Sequence, residues 1–333
     1  MEPLLQVSDL RIVFDSGRGT VQAVGGVSFH VEPGQTVALV GESGCGKSVT
    51  AKSIMGLIQK PGRLLPGSSI RFAGRELTEL DDAGWSGFRG KDCSFVFQDA
   101  LAALNPTQQV GKQVEEILRN HCRELSPAQR RERAMESLTA TGITDGNAVY
   151  RKYPHQLSGG QRQRVMIAMA IAANPRLLIA DEPTTSLDVT IQAQILEKLR
   201  DLQKQTGMSI LLITHDLGIV SGLADRIIVM YAGKIVESGT RDQVLQNPQH
   251  PYTRALLETV PRLSAAGKTP LRTIPGVVPD LANLPEGCAF CRRCAHAMNI
   301  CANREPRPEE AQSGHLVSCW MLEAQRRREE SHV

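Results

Sequence analysis

The run GESGCGKS at residues 41–48 places glycine at 41, 44 and 46, lysine at 47 and serine at 48, directly behind the apolar stretch TVALV (36–40). This is the G-x-x-x-x-G-K-[ST] pattern of a P-loop. Triphosphates are dense in charge and need donors that come close. Glycines clear the side chains away, so backbone N–H groups can ring the phosphates. A helix starting behind the loop adds the positive end of its dipole. In this pattern Lys47 reaches the β- and γ-phosphates and Ser48 holds Mg²⁺. Ser43, Gly44, Cys45, Gly46, Lys47, Ser48 and Val49 are therefore the candidate phosphate-contacting residues, with Cys45 at a variable position of the loop.

A P-loop needs an acidic partner for Mg²⁺ at the end of a neighbouring strand. RLLIADEP (176–183) supplies a buried strand ending in two carboxylates, Asp181 and Glu182. Ligands gather at the C-terminal edge of the strands in open α/β sheets. Asp181 suits the metal there, and Glu182, one residue further, suits a base that polarises the attacking water. The plainer alternative, an acidic pair capping the next helix, loses weight beside a P-loop.

These residues need a frame. LLQVSDLRIVF (4–14) and VSFHV (27–31) have strand character, EPGQ (32–35) is a turn, and TVALV is an apolar strand followed by helical spacing in 48–58. Residues 108–150 are polar and rich in Arg and Glu, which points to a mostly helical insertion. RQRVMIAMAIAANP (162–175) reads as a buried helix ending at Pro175. Ile191, Ile195, Leu199 and Leu202 form one stripe that stops at Gly207. SILLITHD (209–216) is a further apolar strand, and 226–239 reads as a hairpin. Strands alternating with helices imply a largely parallel sheet, with an antiparallel part at the N-terminus.

The chain has 333 residues, so two domains are expected. With 38 basic against 35 acidic residues the net charge is only +3, which gives no case for a nucleic-acid partner. The longest apolar run, 165–173, is about half of a membrane span. The N-terminus carries no signal-peptide pattern, so a soluble, unsecreted protein is expected. The basic-then-acidic tail at 325–330 reads as a solvated helix end. Prolines recur from 261 onward and a cysteine cluster follows, which sets an expected boundary near 262.

LSGGQRQR (157–164), with the P-loop upstream and LLIADEP downstream, resembles the signature of the ATP-binding-cassette (ABC) ATPases. Gln98 in VFQD resembles the Q-loop glutamine, SLD (186–188) the D-loop, and His215 in ITHD the switch histidine. Phe14 lies where the family keeps an aromatic for adenine, although a strand Phe is equally a core residue. The resemblance covers roughly residues 4–260. It implies ATP as substrate, with Glu182, His215, Gln98 and Lys47 catalytic and Ser48, Gln98 and Asp181 around Mg²⁺. It also implies that Ser158, Gly159, Gly160 and Gln161 form a second phosphate-binding helix start. In the family that start faces the ATP of a partner in a head-to-tail dimer. Each motif occurs once, so this chain should supply half of each composite site.

YPHQLSGGQRQRVMIAMAIAANPRLLIADEPTTSLDVTIQAQILEKL, IVMYAGKIVESG and HPYTRALL (250–257) narrow the resemblance to the oligopeptide/dipeptide-type importer ATPases. That implies a homologous second ATPase, rather than an identical one, together with two transmembrane permease subunits and an extracytoplasmic solute-binding protein. The expected location is the cytoplasmic face of the membrane, as a peripheral subunit. Nickel complexes and opines are alternative solutes. A soluble non-transport ABC ATPase and a metal-sensing regulator are competing readings. The single cassette weighs against the first, and the intact Lys47, Asp181, Glu182 and His215 against the second.

Cys288, Cys291, Cys294, Cys301 and Cys319 bunch near the C-terminus. Long importer ATPases of this type keep four cysteines matching Cys288, Cys294, Cys301 and Cys319, and the resemblance implies one 4Fe–4S cluster there, with Zn²⁺ as the alternative. Cys291 departs from the pattern. The expected fold is α/β: an ABC-type P-loop ATPase with a RecA-like mixed sheet, an N-terminal antiparallel β part, a helical subdomain at about 100–170, and a small cysteine-rich C-terminal extension. The expected domains are residues 1–261 for the ATPase and 262–333 for the extension.

Overall fold

Five consecutive buried residues, Thr36–Val40, form the strand that runs into the glycine loop. A strand covered on both faces needs no polar side, which is why TVALV shows no alternation. In the computed structural model, which describes residues 2–17, 19–185, 187–260 and 273–324, this strand pairs in parallel with Arg226–Tyr231, placing Val37 opposite Arg226 and Val40 opposite Val229. The tail 325–330, the boundary near 262 and Ser186 of the SLD run lie outside the described residues. The chain divides into two compact units, each assembled from three stretches of sequence. One comprises Met1–Leu5, Val31–Thr36 and Phe72–Ile213, and the other Gln6–His30, Val37–Arg71 and Thr214–Val333.

In the unit that holds the glycine loop, the strand Arg226–Tyr231 turns back into Lys234–Thr240 as an antiparallel hairpin. Ala232 and Gly233 at the turn both take positive φ, 46° and 80°. Two such residues give the mirror-image turn whose twist matches that of the flanking strands. The sheet then continues through His315–Val317 to Glu309–Gln312. These last two strands are short, and nothing in their local sequence announces them. A buried carboxylate fixes one of them: Glu237 Oε1 lies 2.8 Å from His315 Nε2, and both side chains are fully enclosed. Glu237 also accepts the backbone N–H groups of Gln249 (2.7 Å) and His250 (2.9 Å). One side chain thus joins the hairpin, the C-terminal strand and the start of the helix Pro251–Glu258.

The same unit carries the N-terminal β part. Leu5–Ser16 lies between Gly19–Val31 and Ser69–Phe72, and pairs antiparallel with Gly62–Leu64. From Val27 to Val31 burial alternates, with Val27, Phe29 and Val31 inside and Ser28 and His30 outside. That is the period of a strand with one wet face.

The other unit is built on three parallel strands, Cys93–Val96, Leu177–Asp181 and Ser209–Thr214. The second and third are buried at every position. Its helical part contains Val110–His121, Pro127–Ala140, Gly146–Arg151 and Gly159–Ile171. They share a core that includes Val114, Leu118, Leu138, Tyr150 and Val165. Ser126 and Gln129 close a capping box in front of Pro127, so the polar, Arg-rich stretch starts its helix at a defined residue. Gly111 is required by close approach: a Cβ there would stand 2.1 Å from the Tyr150 ring. The helix Val189–Thr206 buries Ile195, Leu199 and Leu202, and Gly207 ends it at φ 70°.

Candidate functional site

The glycine loop closes around an ammonium. Lys47, the first residue of the helix Lys47–Ile54, is buried, and its Nζ donates to the carbonyls of Gly41 (2.7 Å) and Glu42 (2.9 Å). The loop can take this shape because Gly46 sits at φ 101°, where a Cβ would meet the Ala23 carbonyl at 2.6 Å. Gly44 has φ 78° and faces open space. An anion can therefore come within hydrogen-bond reach of the backbone there. Ser43 and Gly44 are exposed, while Ser48 and Val49 are half-buried at the helix start. Cys45 is enclosed; burial raises its thiol above the ordinary range, and the Lys47 charge only partly offsets this. A neutral thiol adds no competing negative charge to the loop. Phe14 is half-buried in its strand opposite Gly62, with the ring so close that a Cβ on Gly62 would lie 2.5 Å from it.

In the other unit, Asp181 is buried at the end of its strand, and Glu182 follows with φ 47°. A non-glycine residue in the left-handed region carries backbone strain, a frequent mark of a functional position. The Glu182 carboxylate is aimed by two donors: Gln98 Nε2 reaches Oε2 at 3.0 Å and Thr185 Oγ1 reaches it at 2.9 Å. The Glu182 N–H donates to the Ile213 carbonyl at 2.9 Å. Gln98 itself is exposed, just after the strand Cys93–Val96. Thr185 went unnoticed in the sequence, although a hydroxyl three residues after the acid, TTS behind DEP, could have suggested it.

Ser158 is the N-cap of the helix Gly159–Ile171. Its Oγ accepts the Gln161 N–H, and Gln161 Oε1 accepts the Ser158 N–H at 3.1 Å. Gly159 and Gly160 form the first turn, and a Cβ on Gly159 would meet nothing nearer than 3.6 Å. The signature is thus a capped helix start whose two glycines carry no side chain of their own, with Ile191 close enough that a Cβ on Gly160 would lie 3.1 Å from it. Asp188 of the SLD run caps the next helix by accepting the Ile191 N–H. His215 is exposed directly after the strand Ser209–Thr214.

Comparison with known proteins decides the family. Residues 24–185 match the ABC transporter family and residues 236–301 the C-terminal region of oligopeptide/dipeptide transporters. The chain is 50% identical to the oligopeptide transport ATP-binding protein OppD of Bacillus subtilis (strain 168), over 96% of this chain and 89% of that one. It is 48% identical to the dipeptide transport ATP-binding protein DppD of the same organism, over 96% and 95%. The chain belongs to the ABC transporter family, among its oligopeptide/dipeptide-type ATP-binding subunits. The dimeric, ADP- and phosphate-bound structure of a post-hydrolysis ATP-binding cassette matches with a TM-score of 0.65 at 28% identity, over 71% of this chain and 98% of that one. As an ABC ATPase, the chain has the fold class expected from its motifs. Among the described residues no helix is long and apolar enough to cross a membrane.

The C-terminal cysteines require a correction. The expected 4Fe–4S cluster on Cys288, Cys294, Cys301 and Cys319, and the Zn²⁺ alternative, are both overturned. Among the described residues no group of three or more His, Cys, Asp or Glu is arranged to hold a metal ion. The name of the OppD relative also carries no iron–sulfur group. The cysteines surround a cavity of about 20 Å³ closed by apolar side chains such as Phe290, Met298 and Trp320. Burial pushes the Cys288 thiol up to about 12 and the Cys319 thiol up to about 11, and raises Cys294; neighbouring sulfurs add to each shift. Here the thiols pack as small hydrophobes: Cys288 and Cys294 lie against a core that includes Tyr231, Tyr252 and Phe290. Cys288 and Cys294 thereby tie their part of the extension to this core.

Proposed function

We propose that this chain is the ATP-hydrolysing subunit of a peptide importer, working on the cytoplasmic face of the membrane. The carrying observation is the near-full-length likeness, at 46–50% identity, to oligopeptide and dipeptide transport ATP-binding proteins. The match at 236–301 to the C-terminal region of those transporters adds to it. As in its relatives' class, it would work with a second, homologous ATPase subunit, two membrane permease subunits and an extracytoplasmic binding protein.

The local geometry supports a division of labour. Lys47 holds its ammonium inside the loop and exchanges the two carbonyls for β- and γ-phosphate oxygens when ATP enters. Ser43 to Val49 supply N–H groups and the helix start. Ser48 and Asp181, with Gln98, are the residues that would hold Mg²⁺, since hydroxyl, carboxylate and amide oxygens suit this hard cation; bound there, it would neutralise charge on the phosphoryl oxygens. Glu182, aimed by Gln98 and Thr185, takes a proton from the attacking water. His215 serves the γ-phosphate and Phe14 the adenine. Ser158, Gly159, Gly160 and Gln161 serve the ATP held by the partner's P-loop.

The test is purification from membranes. The tagged chain should co-purify with two permease subunits and a homologous ATPase, and peptide-loaded binding protein should stimulate ATP hydrolysis by that complex. Recovery without any permease, or stimulation only by a non-peptide solute, would defeat the proposal.

A further inference from the structure

We propose that Arg293, in the C-terminal extension, is a positioning residue for the phosphate loop: it takes the Glu42 carboxylate into a fork and removes a negative charge from the mouth of an anion site. Glu42 is the second residue of GESGCGKS. Arg293 Nη1 donates to Glu42 Oε2 at 2.6 Å, and Nη2 donates to Oε1 at 3.0 Å. The remaining donors are also used. Nη1 reaches the Tyr231 hydroxyl at 3.2 Å, Nη2 the Ile274 carbonyl at 3.3 Å, and Nε the Pro275 carbonyl at 3.0 Å. All five N–H groups of the guanidinium therefore have acceptors. The Arg293 side chain is only 5% exposed, and its guanidinium lies over the Tyr231 and Phe290 rings. A surface arginine that happened to meet a carboxylate would not be built in this way.

Glu42 is held at its backbone as well. Its N–H donates to the Tyr252 hydroxyl at 2.9 Å, and its carbonyl accepts Lys47 Nζ at 2.9 Å. The residue thus links the ammonium meant for phosphate to two side chains far downstream. A carboxylate left loose on this loop would repel a triphosphate and compete for Lys47. The fork turns it toward the extension and neutralises it, and the Tyr231 and Phe290 rings shield the arginine side of the pair, while Glu42 stays partly exposed. Planar, bidentate geometry is specific to arginine; a lysine ammonium offers a point charge without the fork.

The inference rests on the reading of this loop as the triphosphate site, so the experiment carries a control for that reading. The full-length chain in the assembled transporter, with the partner's P-loop silenced, is titrated with a fluorescent ATP analogue. Arg293→Met should weaken binding about tenfold, the scale of one lost charge-assisted pair. KM for ATP should rise while kcat holds. Adding Glu42→Gln to that variant should restore most of the affinity, because the bare carboxylate is gone, and Arg293→Lys should fall between the parent and Arg293→Met. A merely structural arginine would give a loss that Glu42→Gln cannot repair, and that result, or unchanged affinity in Arg293→Met, overturns the proposal. If Arg293→Met does not assemble, Glu42→Gln alone decides: affinity equal to or above the parent supports the proposal, and weaker binding overturns it. Lys47→Ala runs alongside. Lost binding there beside parental affinity in Arg293→Met defeats this inference alone, whereas parental affinity in Lys47→Ala defeats the reading of the loop.

Discussion

Glu182→Gln separates chemistry from binding, and the surroundings of the side chain say how cleanly. Glu182 Oε2 accepts from Gln98 Nε2 and from Thr185 Oγ1. A glutamine can present its amide oxygen to both donors, and its backbone N–H still reaches the Ile213 carbonyl. Neither the left-handed backbone at this position nor the local packing has to change. What disappears is the capacity to take a proton from water. Loss of a general base costs about 10²–10⁴ in rate, or about 3–5 kcal/mol of barrier. ATP affinity should stay at the parental level. Gln98→Ala should also slow the step: it removes one of two hydrogen bonds to a charged group, a loss of about 10–100-fold, together with the Mg²⁺ contact proposed for this residue. The assay is single-turnover phosphate release by the assembled transporter with the partner's site silenced, because turnover at a second site would mask the effect. A Glu182→Gln rate equal to the parent's would refute the role given to this carboxylate. A matching loss of ATP affinity would refute the claim that the two donors hold the glutamine in place.

Three further outcomes are expected. Ser158→Arg should abolish hydrolysis of ATP held by the partner's P-loop while nucleotide binding at Lys47 persists; site-specific photolabelling reads both, and the reverse pattern would contradict a site shared across a dimer. Burial pushes the His250 imidazole down from 6.5 to about 4, so the unfolded chain binds the extra proton first and stability should fall by about 3 kcal/mol as pH drops through that window. His250→Asn, which keeps a capping acceptor for the Tyr252 N–H, should flatten a urea-denaturation profile between pH 6.5 and 4. The Glu237 carboxyl should be felt only at lower pH: burial would raise it, but hydrogen bonds from His315 and from the N–H groups of Gln249 and His250 hold it below 4.5. Gly111→Ala should destabilise the helical part by about 1–3 kcal/mol, the usual cost of overpacking, since the new methyl meets the Tyr150 ring; a thermal midpoint equal to the parent's would count against that crowding.

What could be read in advance was local. The P-loop, the strand ending in Asp181–Glu182, the 226–239 hairpin and the helix stop at Gly207 each depend on a few adjacent residues whose types dictate backbone geometry. The signature helix was legible from its apolar pattern as a helix over 162–175, and only the resemblance implied its start at Ser158, where the structure has the N-cap of Gly159–Ile171. Contacts across long separations were not legible. Gln98 and Glu182 are 84 positions apart, and Glu42 and Arg293 are 251 apart. No spacing rule reaches so far. The cysteines misled for a related reason. The resemblance matched Cys288, Cys294, Cys301 and Cys319 by their positions in sequence, and position does not say how sulfurs are arranged in space; among the described residues no group of three or more is arranged to hold a metal ion. The strands at 309–317 escaped because their pairing partner is a hairpin some 80 residues earlier, held to them by Glu237 and His315.

The strand Thr36–Val40 and its parallel neighbour Arg226–Tyr231 have a consequence during synthesis. The ribosome releases the first of them about 190 residues before the second. At elongation rates of about 5–20 residues per second, this strand, apolar at four of its five positions, therefore waits about 10–40 s for that edge to be covered. Two contacts of the glycine loop behind it form later still, because Glu42 is held by Tyr252 and Arg293. For most of translation this edge therefore has no strand to pair with on that side, the situation in which an unpaired edge can recruit another chain.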